Sequence, residues 1–287
     1  MSQTPPSAAT PREGPPQPSA GYKAICSLGT PVINGLSYIG GLFIMTVQTA
    51  GWIWCGTVMR TVRLGRPALY SQFVRVGVRS IGVIALVNGC IGLILALQMA
   101  TPLADYGAKE NVATIVAIAV VRELGPLLCA IVLTGFAGAS IAAELGTMVV
   151  GEEIEALQAH ALNPIRFLVV PRMVTTMLSL VVLCVFGDLI AIGGGYAISV
   201  FALDIPSGVY YGNTIEALDV VDFFTGLWKA AIFGLMIGAI GCYNGLAVSG
   251  GAAGVGRATT NTVVHSIVSV IVVDLIFVAI FYQLGWT

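Results

Sequence analysis

The sequence predicts an all-α polytopic membrane protein, and three observations carry that prediction. Of 287 residues, 57% are hydrophobic and only 9% are charged, against about 25% charged in an ordinary soluble domain. Mean hydropathy is +0.92, which implies more apolar surface than a soluble fold of this length can cover with polar groups. The apolar runs are long and charge-free rather than alternating at every second residue, which selects helices over a β-barrel. A cytosolic enzyme, an all-β secreted domain and a disordered scaffold are thereby excluded. The 13 basic residues nearly balance 14 acidic ones, so no bulk field would recruit nucleic acid or an anionic substrate. Cys26, Cys55, Cys90, Cys129, Cys184 and Cys242 are scattered through apolar stretches. They read as small buried hydrophobes rather than a disulfide or metal set.

Residues 1–21 hold six of the thirteen prolines, so 1–23 is read as a disordered tail. Residues 24–79 form the next section. Ala24 to Met59 is uncharged, interrupted by Gly29, Pro31, Gly35, Gly40, Gly41 and Gly51, and ends near Trp52 and Trp54, residues suited to a membrane–water interface. Arg60, Arg63, Arg66, Arg75 and Arg79 follow and mark the cytoplasmic side by the positive-inside rule. A crossing with its N-terminus outside and a cytoplasmic interfacial helix both leave that basic segment inside. The glycines, the proline and the paired tryptophans favour the interfacial helix.

Residues 80–287 form the transmembrane domain. Ile81 to Thr101 is charge-free and long enough, at ~1.5 Å per residue, to span ~30 Å of bilayer. A loop over 102–110 follows. Residues 111–148 read as one long helix, bent or broken at Gly125-Pro126, where the proline removes a backbone donor. Within 151–166, Ile154 and Leu157 stand at i, i+3 among Glu152, Glu153 and Glu155. That pattern predicts a short amphipathic helix at the cytoplasmic surface, ended by Asn163-Pro164, and a handle for a soluble partner. Residues 173–203 are apolar except Asp188, and 204–222 are acidic, with a short helix opening at Pro206. Residues 230–256 are uncharged, Arg257 falls in a Gly/Thr-rich loop over 249–262, and the remainder is apolar except His265 and Asp274. Arg166, Arg172 and Arg257 join the basic side. Asp105, Glu110, Asp204, Glu216, Asp219 and Asp222 face Lys109 alone on the other. Five crossings after residue 80 satisfy this distribution and leave the C-terminus outside.

Ionisable groups inside apolar spans cost roughly 2.5–3.5 kcal/mol each on insertion scales. Arg122, Glu123, Asp188, Lys229 and Asp274 are the candidates, either as a polar constriction along a transport route or as glue between helices. Arg122 and Glu123 are adjacent and diverge by about 100° on a helix, so each needs a partner on another helix. Gly135, Ala139 and Ala143 form one small-residue stripe and Gly138, Ala142 and Gly146 another, with Gly234, Gly238, Gly241 and Gly245 later, all suited to close helix packing. Gly251 to Arg257 imitates a phosphate loop, but Arg257 stands where lysine is needed and Ala258 where the metal-binding hydroxyl should be. No metal-ligand pair and no nucleophile elbow is present. The reading therefore assigns no catalytic residue, no metal and no cofactor.

Arg122-Glu123-Leu124-Gly125-Pro126, Ala137-Gly138-Ala139-Ser140 and Ala143-Glu144-Leu145-Gly146-Thr147-Met148 together resemble the permease subunits of MCE-associated ABC transporters, the MlaE type. Glu152 to Leu157, Asn163-Pro164-Ile165-Arg166, Pro171-Arg172, Tyr243-Asn244-Gly245 and Gly256 to Thr260 with Val263 to Ser266 continue the resemblance, which covers roughly residues 70–287. It implies a permease of the bacterial inner membrane, acting as a homodimer that moves lipids, usually phospholipids, held between its two copies. It also implies an ABC ATPase on the cytoplasmic face, an MCE-domain lipid-binding protein on the other, and a small STAS-domain subunit. Residues 151–160, with Glu152, Glu153, Ile154, Glu155 and Leu157, become the coupling helix that meets the ATPase. Two other classes stand beside this one. An ion- or proton-coupled secondary transporter would use Asp188, Glu123 and Asp274 as relay groups and would show internal repeats. A non-transporting scaffold would have no lipid pathway.

Overall fold

The computed structural model describes residues 20–57 and 66–285. Most of the proline-rich tail, with Arg60 and Arg63, lies outside the described residues. Among the described residues the structure is helical, without strands. Six stretches are long and apolar enough to cross a membrane: Val32–Cys55, Leu69–Asp105, Lys109–Val150, Ile165–Phe201, Val220–Leu246 and Gly251–Leu284. The chain divides into two compact units between Phe43 and Ile44.

The first helix, α1, runs unbroken from Ala20 to Thr57. The glycines and Pro31, read from sequence as interruptions, do not stop it. In lipid no water competes for the backbone, so a helix tolerates residues that would fray it in solution. Within the first unit Ile33, Leu36, Ile39 and Phe43 are exposed, a surface for lipid rather than water. Its apolar stretch Val32–Cys55 is as long as a crossing requires. Within the second unit, Met45 and Thr49 of the same helix are buried.

Helix α2 (Arg66–Phe73) leads through a wide π turn, Val74–Val78, into α3 (Arg79–Asp105). Pro102 is inside α3, not in the loop expected there, and the helix ends one turn later. The amides of Gly107 and Ala108 donate to the carbonyls of Ala104 and Leu103, at 3.0 and 2.8 Å. That double closure requires the left-handed φ of +67° at Gly107.

The third span has three α segments, α4 (Val112–Ala119), α5 (Gly125–Leu133) and α6 (Ala139–Val150), joined by π turns at Val120–Leu124 and Thr134–Gly138. The bend expected at Gly125-Pro126 is a widening of the helix and not a break. Pro126 cannot donate, and the Gly125 amide reaches back five residues to the Val120 carbonyl.

Helix α7 (Glu153–Ala159) hangs between α6 and the π turn Ile165–Val169 that opens α8 (Val170–Phe201). Both of its turns use left-handed backbone at residues with a Cβ, Glu152 and Ala161, each at φ 58°. That conformation costs roughly 1–2 kcal/mol per residue. Helix α8 is the buried centre of the bundle, packed against α3 on one side and α10 (Val220–Leu246) on the other. Glycines make the approach possible: a Cβ on Gly92 would strike the Ala191 carbonyl, and one on Gly194 would lie 2.7 Å from the Gly89 carbonyl.

After α8, a short helix α9 (Ser207–Ala217) lies against α4, with Asn213 Nδ2 donating to the Glu110 carbonyl at 2.9 Å. Burial pushes the Tyr210 hydroxyl on its inner face up to about 12. Helix α10 starts on a capping box made by Asp219 and Asp222. Helix α11 runs from Gly251 to Leu284. The loop expected over 249–262 is therefore helical from Gly251. The threonines that suggested a loop return their hydroxyls to the helix's own carbonyls, Thr259 and Thr260 to Gly256 and Thr262 to Ala258. The stripe Gly138, Ala142, Gly146 packs in the chain's interior: a Cβ on Gly241 would lie 3.1 Å from the Gly138 carbonyl, and one on Gly245 3.1 Å from that of Ala142. Gly135, by contrast, is exposed and open.

The bundle has a basic end and an acidic end. Arg75, Glu144 and Arg172 meet at one end, where Val248 and Val255 also pack beside Gly146. Glu110 and α9 meet at the other.

Candidate functional site: an intramembrane charge cluster and a basic-end surface helix

Four of the five intramembrane charges find opposite charges on other helices, in two groups two turns apart along α10. The wide turn Val120–Leu124 presents Arg122 and Glu123 toward α10, where each finds a partner. Arg122 Nε pairs with Asp222 Oδ1. Glu123 Oε2 lies 2.5 Å from Lys229 Nζ, and Asp274 Oδ1 of α11 lies 3.0 Å from the same nitrogen. Lys229 is 2% exposed and bridges two carboxylates from two other helices. The five groups comprise three carboxylates and two cations. Every charge has an opposite charge beside it, which is what makes the cluster tolerable in an apolar surrounding.

Asp188 stands apart. It is buried on α8, with Oδ2 accepting from Cys184 Sγ at 3.5 Å, while Oδ1 rests against Gly125 without a donor. A Cβ at Gly125 would collide with that carboxylate. Asp222 was the member missed from sequence, because it was read as the last acid of a polar loop. Its spacing of seven from Lys229, two helical turns on one face, was the available signal.

Beside the cluster on α10, an apolar groove of about 590 Å³ opens at the acidic end, lined by Val220, Val221, Phe224, Thr225, Trp228 and Phe281. Five of its residues come from the first turns of α10, which also carries Asp222 and Lys229, and Phe281 comes from α11. An apolar ligand or chain could lie there without meeting an unpaired charge.

At the basic end, Glu152, Glu153 and Glu155 of the α7 segment are exposed, with Ala156, Gln158 and His160. Ile154 and Leu157 are half-buried against the chain itself, so only part of their surface remains for a partner. The turn after α7 is held by Asn163 Oδ1, which accepts from the Ile165 amide at 2.9 Å. The Arg166 guanidinium that follows lies 5.6 Å from the Trp52 ring centre and 5.2 Å from that of Phe167, a cation–π contact from α8's entrance to α1. Glu144 takes Arg75 on one oxygen and Arg172 on the other, the latter at 3.2 Å. Neither contact was anticipated from sequence.

The chain matches the family described as Permease MlaE over residues 69–280. It is 35% identical over 257 residues to a protein of Rickettsia bellii named a probable ABC transporter permease protein, covering 88% of this chain and 99% of that one. A protein of the same description from Rickettsia conorii is 38% identical over 223 residues, 76% of this chain and 86% of that one. One from Synechocystis is 32% identical over 221 residues, 77% of this chain and 84% of that one. With its apolar helices, its paired intramembrane charges and this match, the chain belongs to the MlaE family of ABC transporter permeases.

Proposed function

We propose that this permease moves lipids, in the first place phospholipids, between the bacterial inner membrane and an MCE-domain lipid-binding partner, driven by a separate ABC ATPase. Residues 80–287 form the permease domain, and two copies enclose the lipid path. The basic end faces the cytoplasm by the positive-inside rule. There the ATPase docks on 151–160, with Glu152, Glu153 and Glu155 pairing with basic groups and Ile154 and Leu157 supplying apolar contact. A small STAS-domain subunit completes the assembly on that face.

The single observation that carries the reading is α7: a short, exposed acidic helix held between two long membrane helices, in a chain whose glycine-rich segment lacks a phosphate-loop lysine. An ABC permease implies an ATPase partner, and this is the basic-end segment shaped for one. The open groove at the acidic end supports an apolar cargo, and the unfilled stripe at Gly135, Ala139 and Ala143 leaves room for close approach of a second copy. Arg122, Glu123, Lys229 and Asp274 act in this reading as internal ties that keep the helices registered around the lipid path, while Asp188, bonded among the described residues only within α8, does not.

The test is co-purification of the tagged permease with its neighbours, followed by reconstitution in vesicles with fluorescent phospholipid and ATP. ATP-dependent lipid movement by a complex holding two permeases and an ATPase is the expected result. A complex that hydrolyses ATP yet extracts or delivers no lipid would refute the cargo, and a permease that purifies without an ATPase would refute the drive.

A further inference from the structure

We propose that Glu144 is a positioning residue, the brace that makes the α6–α7–α8 turn and the start of α3 move as one piece when force reaches α7. The inference rests on the reading of α7 as the ATPase contact.

Helix α7 is attached to the bundle at two places, the end of α6 and the entrance of α8. Its attachments are the turns at Glu152 and Ala161, both in left-handed backbone. A push on α7 alone could be absorbed by opening those turns and splaying α6 from α8. Glu144 stands at the middle of α6 and Arg172 in the first turn of α8. Their ion pair, Oε2 to Nη2 at 3.2 Å, closes the base of the turn. The other oxygen, Oε1, holds Arg75, which belongs to the π turn feeding α3. In that turn Gly77 sits close enough to α8 that a Cβ would lie 3.3 Å from Ser179 Oγ. Packing thus presses the turn onto α8, and the charge fixes its position along it.

The charge count makes one carboxylate indispensable. Among the described residues, Glu144 is the only anion paired with either arginine. Arg172 is 10% exposed, spends Nη1 on the Leu168 carbonyl at 3.0 Å and leaves Nε without a partner. Loss of the Glu144 charge would therefore leave a nearly buried cation uncompensated. Arg75 is different: its side chain is 44% exposed, so its removal costs the fold little while cutting the tie to α3. A purely structural role would make Arg75 dispensable. A brace makes Arg75 and Glu144 equivalent in function.

The experiment uses the full complex with its ATPase and measures lipid moved per ATP hydrolysed. Glu144→Gln and Arg75→Gln should each lower that ratio about fivefold or more, the low end of ordinary coupling between sites, while the ATPase stays bound and active. Glu144→Asp, which keeps the charge, should recover part of it, and the double variant should be no worse than Glu144→Gln alone. A second readout needs neither lipid transport nor ATP hydrolysis. Spin labels at positions 158 and 86, in a chain freed of its native cysteines, diluted with unlabelled chain and placed in bilayers, should give one narrow distance distribution that broadens in Arg75→Gln. An unchanged lipid-to-ATP ratio in Arg75→Gln, or an unchanged label distribution, overturns the brace. If the unmodified complex moves no lipid, the transport reading fails, and the label distances still decide the brace.

Discussion

Replacing Lys229 with methionine keeps the volume of the side chain and removes the cation that Glu123 and Asp274 share. The two carboxylates lie 2.5 and 3.0 Å from the ammonium, so without it they face each other across an apolar interior. Breaking a buried pair by deleting one partner costs about 3–5 kcal/mol. Glu123 is 36% exposed and Asp274 9%, so the loss at the more enclosed Asp274 carries most of that figure. Unfolding the purified permease in mixed micelles with increasing SDS measures the difference. Adding Glu123→Gln and Asp274→Asn to Lys229→Met removes the stranded charges and should restore most of the stability. Because every charge in the cluster is already paired, none is left to engage cargo, and the neutral triple variant should still transport. A Lys229→Met permease within about 1 kcal/mol of the parent, as for a surface pair, would refute the electrostatic argument. A stable triple variant that moves no lipid would refute the assignment of these groups as ties.

Cysteines introduced at positions 158 and 211, both exposed, should be labelled by an impermeant reagent from opposite sides of the membrane; labelling from one side would contradict the two-ended arrangement. Gly92→Leu forces a side chain into the Ala191 carbonyl and should cost at least about 1–3 kcal/mol, whereas Gly82→Leu, with open space around it, should leave the unfolding midpoint unchanged. Ile154→Ala with Leu157→Ala should weaken ATPase co-purification by about 1–2 kcal/mol, more than any single Glu→Gln in α7, since apolar anchors outweigh rim charges. Quantitative pull-down with the tagged permease reads this directly, and full association of the double variant would remove these residues from the interface.

The depth of each charge in the membrane is legible in the sequence, but its direction is not. Arg122, Glu123, Lys229 and Asp274 stand out because apolar residues flank them, and Asp188 stands out equally. Only packing separates them, placing Asp188 against Gly125 and Cys184 while the others pair across helices. Asp222 escaped notice because polarity set the helix boundary at residue 230. The Asp219-x-x-Asp222 pair, which caps α10, marks the start ten residues earlier. A soluble-protein view of glycine and proline put interruptions into α1 and misplaced one end each of α3 and α11. Inside lipid the backbone has no alternative partner, and these residues remain helical. Glu144 entered the sequence reading only as part of a motif, since nothing in spacing links residues 75, 144 and 172.

The wide turns explain how so apolar a chain makes its polar contacts. Three of them contain charged residues that cross to another helix: Arg75 in Val74–Val78, Arg122 and Glu123 in Val120–Leu124, and Arg166 in Ile165–Val169. A regular helix gives neighbouring residues fixed directions about 100° apart, and one face of each span is already committed to close packing. Inserting one extra residue per turn shifts the register, so side chains before and after the turn keep their packing while those within it are re-aimed. The apolar helices can then satisfy the bilayer along their length and still place a few charges against specific partners. Two of the three turns sit at the basic end, on either side of Glu144 and next to α7. The helices are thus tied to one another at the end that carries α7, and the acidic end retains the open apolar groove.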